Sequence, residues 1–234
     1  MPIGLKPFTV LKILIFFIFF LLTANIFGLV FKYFFDHDYI YGLVPLFNFD
    51  TEKNIPSLYS SLALATVSVL LFKIAFARKK AELDNKLWFA LSAIFLFLAM
   101  DEFFSIHELL IHPVRGFLGT SGVLYFAWVI PYGVLLLLIL ATYLKFLFNL
   151  PKRTMILFLI SGSLFVLGAI GFELIGGQHA DTYGTNNIIY ATITTCEELL
   201  EMLGIAIFIY TLLSYIDKES VNKKIIDTKH KNRL

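Results

Sequence analysis

Long apolar runs, separated by short polar breaks, make up most of the chain: residues 9–33, 57–77, 87–110, 122–148, 154–175 and 186–216. Each meets the ~18-residue length that marks a transmembrane helix. The breaks at 54–56, 113–122, 149–151 and 176–187 hold the Gly, Pro and Asn residues that favour turns. The pattern predicts an all-α, polytopic bundle of six membrane helices over residues 1–216. A polar, mixed-charge tail, expected to be loosely ordered, follows at 217–234. Lys6 and Lys12 stand ahead of the Phe/Ile/Leu stretch of the first run, as they would in a signal peptide. Its apolar character continues to Phe35, beyond a ~7–15-residue signal core, so the first helix is expected to be retained.

Sixteen of the 19 Lys and Arg residues fall on one side of this alternation; only Lys32, Lys53 and Arg115 fall on the other. Cytoplasmic loops collect basic residues, so both termini are expected in the cytoplasm. Lys223, Lys224, Lys229, Lys231 and Arg233 in the tail are read as part of that bias, with anionic lipid headgroups as an alternative contact.

Composition narrows the function classes. Mean hydropathy is +0.81 and charged residues make up 15% of the 234, against about 25% in soluble domains. A net charge of +2 gives no footing for nucleic acid. Cys196 is the single cysteine, which excludes a disulfide framework and a cysteine-based zinc site.

Seven of the 17 acidic residues lie inside the predicted spans: Asp101, Glu102 and Glu108 in the third, Glu173 in the fifth, and Glu197, Glu198 and Glu201 in the sixth. A charge at a helix centre costs ~2.5–3.5 kcal/mol, so seven facing lipid would cost on the order of 20 kcal/mol. That exceeds the ~5–15 kcal/mol stability of a typical domain. These groups must therefore face one another, water or a cation. The run directions place all seven in the outer half of the bilayer. Asp101 and Glu108, seven apart and so nearly two helical turns, are expected to share a face, as are Glu197 and Glu201, four apart.

No Lys or Arg lies in the outer halves of these helices, and Arg115 is the nearest arginine. Protonation or a bound metal must offset the charge. The candidate metal ligands are Asp101, Glu102, His107, Glu108, Glu173, Glu197 and Glu201, with His179 and Glu198 as further candidates. His107 and Glu102 are the candidate catalytic groups. This oxygen-rich set suits a divalent metal, iron or manganese before zinc, magnesium or calcium, and two ions would offset four charges. Two familiar metal spacings are absent. Glu102 to His107 is too long for Glu-x-x-His, and His107, Glu108 and His112 form His-Glu-x-x-x-His, one residue longer than the zinc-protease motif.

Other residues frame the site. Tyr125, Trp128 and Tyr132 read as interface anchors, and Pro131 as a kink opening a gap toward lipid. Gly162, Gly168 and Gly171 would permit close helix contact. Thr192, Thr194 and Thr195 read as hydroxyls bonded to their own helix.

Met-Asp-Glu-Phe-Phe-Ser-Ile-His-Glu at 100–108, Gly-Phe-Glu at 171–173 and Glu-Glu-Leu-Leu-Glu at 197–201 resemble an uncharacterised group of bacterial multipass membrane proteins. The resemblance implies a bacterial inner (plasma) membrane location and supplies no activity. The residues themselves suggest a metal-dependent oxidoreductase or hydrolase acting on a membrane lipid or quinone-like molecule. The alternatives are a proton- or cation-coupled transporter and a noncatalytic assembly or sensor subunit.

Overall fold

The computed structural model describes residues 6–231, with side chains described to Lys218. Six helices are long and apolar enough to cross a membrane. They are α1 (Pro7–Phe34), α2 (Ile55–Lys80), α3 (Lys86–Phe104), α4 (Val129–Phe148), α5 (Lys152–Tyr183) and α6 (Ile188–Lys231). The described chain contains no strand. The expectation of an all-α, six-span membrane architecture is met.

Local sequence sets the ends. Pro7 opens α1, where a missing N–H costs nothing. At the start of α2, Asn54 and Ser57 exchange side-chain-to-backbone bonds in a capping box, and Arg78, Lys79 and Lys80 sit in the last turn, at the negative end of the helix dipole. The centre of the bundle lies between α2 and α6: Leu64, Val67, Leu71 and Ile74 meet Ile205, Ile209 and Leu212, all nearly inaccessible. Phe16, Phe19, Phe27, Leu62, Leu137 and Leu138 remain exposed, as lipid-facing positions should. α4 stands farthest out, with 11% of its span buried against 56% for α2 and α6.

Several local expectations are corrected. The third helix stops at Phe104, not Leu110, because Ser105 adopts a left-handed conformation (φ 54°, ψ 46°). Ile106 N–H then reaches back to the Asp101 carbonyl at 3.2 Å, the 6→1 bond of a Schellman end. Asp101 and Glu108 therefore do not share one helical face. The fourth helix begins at Val129 rather than 122, which puts Pro131 in its first turn, where proline neither kinks nor breaks a helix. The fifth continues two turns beyond Ile175, through Gly176 and Gly177. Gly177 serves packing, since a Cβ there would lie 3.2 Å from the Val123 carbonyl, whereas one on Gly176 would meet Ile193 at an ordinary 3.6 Å. α6 continues to Lys231, into the segment expected to be loose. The predicted lipid contacts of its basic residues lie outside the described side chains.

Candidate metal centre and cavity

The break after α3 builds the first part of the site. The main chain turns at Ser105 and returns His107 to Asp101. His107 N–H donates to Asp101 Oδ1 at 2.7 Å, and its ring Nδ1 lies 3.4 Å from Asp101 Oδ2. Tyr132 of α4 donates its hydroxyl to the same Oδ1 at 3.0 Å. Asp101, 7% exposed, is thus held on three sides and itself holds the imidazole. The His107 ring also lies 4.9 Å from that of Trp128, and Trp128 Nε1 donates to Glu173 Oε1 at 2.6 Å.

A second part comes from the loop between α1 and α2. Asn25, 1% exposed on α1, accepts from Phe49 N–H at 3.0 Å and donates to Thr195 Oγ1 of α6 at 2.9 Å. Asn54 donates to the carbonyls of Asn48 (2.6 Å) and Thr51 (2.7 Å). These bonds fix residues 48–54 and bring Glu52 over the end of α3. Glu52, His107 and Glu108 each offer a ligand atom, all within 4.8 Å of one another. Glu52 Oε2 is buried without a hydrogen-bond partner, so one acceptor is left to a ligand.

Charges respond to this crowding. Burial raises the Glu52 carboxyl above its ordinary range, and facing His107 only partly offsets this. Burial raises Asp50 to about 6 against the pull of Lys32. For His107, burial favours the neutral ring, but the bond and charge of Asp101 outweigh it and raise the imidazole. Arg115 is not the missing counter-charge. Its Nε donates to the Tyr125 carbonyl at 2.9 Å, Nη2 donates to the same oxygen, and its guanidinium covers the Tyr125 ring.

The deeper carboxylates come from α5 and α6. Between Leu167 and Phe172, α5 widens into a π-helical turn immediately before Glu173; such turns recur at functional sites. The helices touch there because position 168 is glycine: a Cβ would fall 2.7 Å from the Glu197 carbonyl and 2.8 Å from Glu201 Cγ. Of the three glycines expected to bring helices together, Gly168 does so. Gly162 faces open space, and a Cβ on Gly171 would meet only Leu167 of its own helix. Thr192, Thr194 and Thr195 bond to carbonyls four residues back, as expected.

A cavity of about 810 Å³ joins these parts. Asp101, Glu102, Glu108, Glu173, Glu197, Glu198 and Glu201 all line it, together with His107, Asp50 and Glu52. The seven carboxylates singled out in the sequence thus border one space, but Glu108 lies beyond the end of α3 and is exposed rather than within a span. His179 is not among its lining residues; its Nε2 lies 2.8 Å from Asn187 Oδ1 and its ring packs on Tyr183. Sequence reasoning missed Asp50, Glu52 and Asn25. The alternation of six spans places residues 35–54 on the same side as 105–128, so the acidic pair at 50 and 52 was the signal available.

Residues 13–216 match the family described as a domain of unknown function (DUF8692). The chain belongs to this family. No curated protein and no solved structure matches it. The family match reaches into all six membrane helices and contains every carboxylate of the cavity, so the site lies within the shared domain rather than in an appended segment.

Proposed function

We propose that this protein is a membrane metalloprotein. It binds a divalent cation through Glu52, His107 and Glu108 and acts on the polar end of a lipid or quinone-like molecule. The observation behind this is the convergence of those three residues, from two separate loops, on one point at the end of a carboxylate-lined cavity. An imidazole with several carboxylates is a hard, oxygen-rich set suited to iron, manganese, magnesium or zinc. Asp101 serves as the partner that orients His107, the usual carboxylate support of a histidine ligand. Glu102, Glu173, Glu197, Glu198 and Glu201 border the same cavity and supply the donors for a second ion or for proton transfer. Glu102, adjacent to Asp101, is the proposed general base.

A bound cation polarises an oxygen of the substrate or of water. The distribution of basic residues supports cytoplasmic termini, which would place the carboxylate end in the outer leaflet. The remainder of the cavity has apolar walls, including Leu91, Phe95, Leu136 and Phe208. That lining suits a lipid-modifying site better than an ion path.

The test is elemental mass spectrometry on detergent-purified protein carrying no histidine tag, alongside Glu52→Gln and His107→Gln. The expected result is at least one divalent ion per chain, depleted in both variants at unchanged helical content. Metal retained in both variants, or no metal after supplementation, overturns the reading.

A further inference from the structure

The cavity has two unlike ends, and the apolar one has a shape of its own. α3 and α4 run antiparallel and meet through two aromatic bridges. Phe97 faces Tyr132 at 6.4 Å near the carboxylates, and Trp88 meets Phe146 edge-on at 5.0 Å at the far end. Between the bridges, Ala93 of α3 and Leu135 and Leu140 of α4 line the cavity and yet are exposed, the two leucines at 52% and 50%. These residues mark a side window toward the hydrocarbon.

The far end is closed by Tyr143, Phe146, Phe158 and Phe208. Phe158 packs on Phe208 at 4.7 Å, and Tyr143 is tied by its hydroxyl to the Leu87 carbonyl at 2.8 Å. From Tyr132 to Phe146 is 14 residues of α4, roughly 21 Å at 1.5 Å per residue. From Ala169 back to Phe158 is 11 residues of α5, roughly 16 Å. Half of the ~30 Å hydrocarbon core is about 15 Å, the reach of one acyl chain in its own leaflet.

We propose that this apolar arm is a tail-binding channel. It admits one hydrocarbon chain of a membrane amphiphile through the window between α3 and α4, holds the polar head at the carboxylates, and gauges chain length against the Phe158 and Phe208 floor. The assignment of the head rests on the metal-site reading; the tail site rests on the arm alone.

The two tryptophans of the chain mark the two ends. Trp128 lines the cavity at the carboxylates, and Trp88 lies behind the floor, 2% exposed. The experiment uses lysophosphatidylcholine brominated at the chain terminus or beside the head, added to full-length protein in bromine-free detergent. Terminal bromine is expected to give saturable quenching that Trp88→Phe abolishes, and head-proximal bromine to quench mainly the emission that remains in that variant. Shorter chains should lose the Trp88 component. Gly162→Phe, placed on the cavity wall where a Cβ meets nothing within 4 Å, should block it. Phe208→Ala should shift the preferred chain length upward.

Non-saturable quenching, or quenching unchanged in Gly162→Phe, overturns the channel. Elemental analysis of the same metal-supplemented samples separates the two readings. Saturable quenching in protein that takes up no metal leaves the tail site standing while the metal reading fails, and metal without quenching does the reverse.

Discussion

Asp101 grips His107 twice, through the backbone N–H at 2.7 Å and beside the ring Nδ1 at 3.4 Å. Each contact depends on the helix ending at Ser105, because a continuous helix would commit the His107 N–H to a carbonyl one turn back. With Nδ1 beside Asp101, Nε2 is the ring nitrogen we propose for the metal. Asp101→Asn removes the charge that fixes the imidazole while preserving the shape of the side chain. We expect metal affinity to fall by ~10–100-fold, read by competition with a chromogenic chelator. Tyr132→Phe, which removes one donor to Asp101 but leaves its charge, should fall by less. Equal affinity in Asp101→Asn and wild type would show that Asp101 does not position the ligand.

Glu52 tests whether the loop between α1 and α2 belongs to the site. Its partnerless Oε2 is buried, and leaving such a group unsatisfied costs ~1–3 kcal/mol. In the metal-free protein Glu52→Gln removes a buried negative charge that also faces Glu108, so it should be neutral or stabilising in a thermal melt. In the presence of excess metal it should melt lower than wild type, because a ligand that binds only the folded state stabilises it. A variant that melts like wild type in both conditions would remove Glu52 from the centre.

The six spans were legible because insertion in a membrane demands long apolar runs, a signal carried by each segment alone. The seven carboxylates were legible for the same reason in reverse, since Asp101, Glu173 or Glu201 facing hydrocarbon would be too costly. What depended on relations between segments was not. Ser105 has no glycine-like marker for its left-handed turn, so the end of α3 was read six residues late. Gly176 and Gly177 looked like a turn and instead pack against Tyr190, Ile193 and the 122–123 backbone. Asp50 and Glu52 lie in a polar loop, where carboxylates cost nothing and draw no notice until the loop folds back.

The crossing of α5 and α6 separates glycines needed for contact from those that are not. A Cβ at Gly168 would approach the Glu197 carbonyl to 2.7 Å, and one at Gly204 would approach the Ser161 carbonyl to 2.8 Å. Both neighbours are backbone and cannot rotate away. Gly168→Ala and Gly204→Ala should each destabilise the folded protein by ~1–3 kcal/mol, seen as a lower thermal midpoint in detergent. Gly162→Ala, whose Cβ meets nothing within 4 Å, should be neutral or gain ~0.4–1 kcal/mol through the unfolded chain. The same loss at position 162 as at 168 would disprove the close crossing.

Asn25 makes a long-range prediction, because it links the membrane core to the loop that carries Glu52. Its Oδ1 accepts the Phe49 N–H and its Nδ2 donates to Thr195 Oγ1. Phe49 is 5% exposed, so in Asn25→Ala its N–H has no ready access to water. The penalty for that unsatisfied donor is ~1–3 kcal/mol, and it falls on a segment three residues from Glu52. Amide exchange at 49–54 should accelerate and metal affinity should drop together. Thr195→Val removes only the other bond, leaving Phe49 N–H with its acceptor, and the Thr195 hydroxyl is also satisfied by the Ala191 carbonyl. That variant should lose a smaller increment of stability and keep slow exchange at Phe49. If both variants accelerate exchange equally, the loop is held by α6 packing rather than by the Asn25 carbonyl. If neither does, Asn25 does not secure Glu52 over the site.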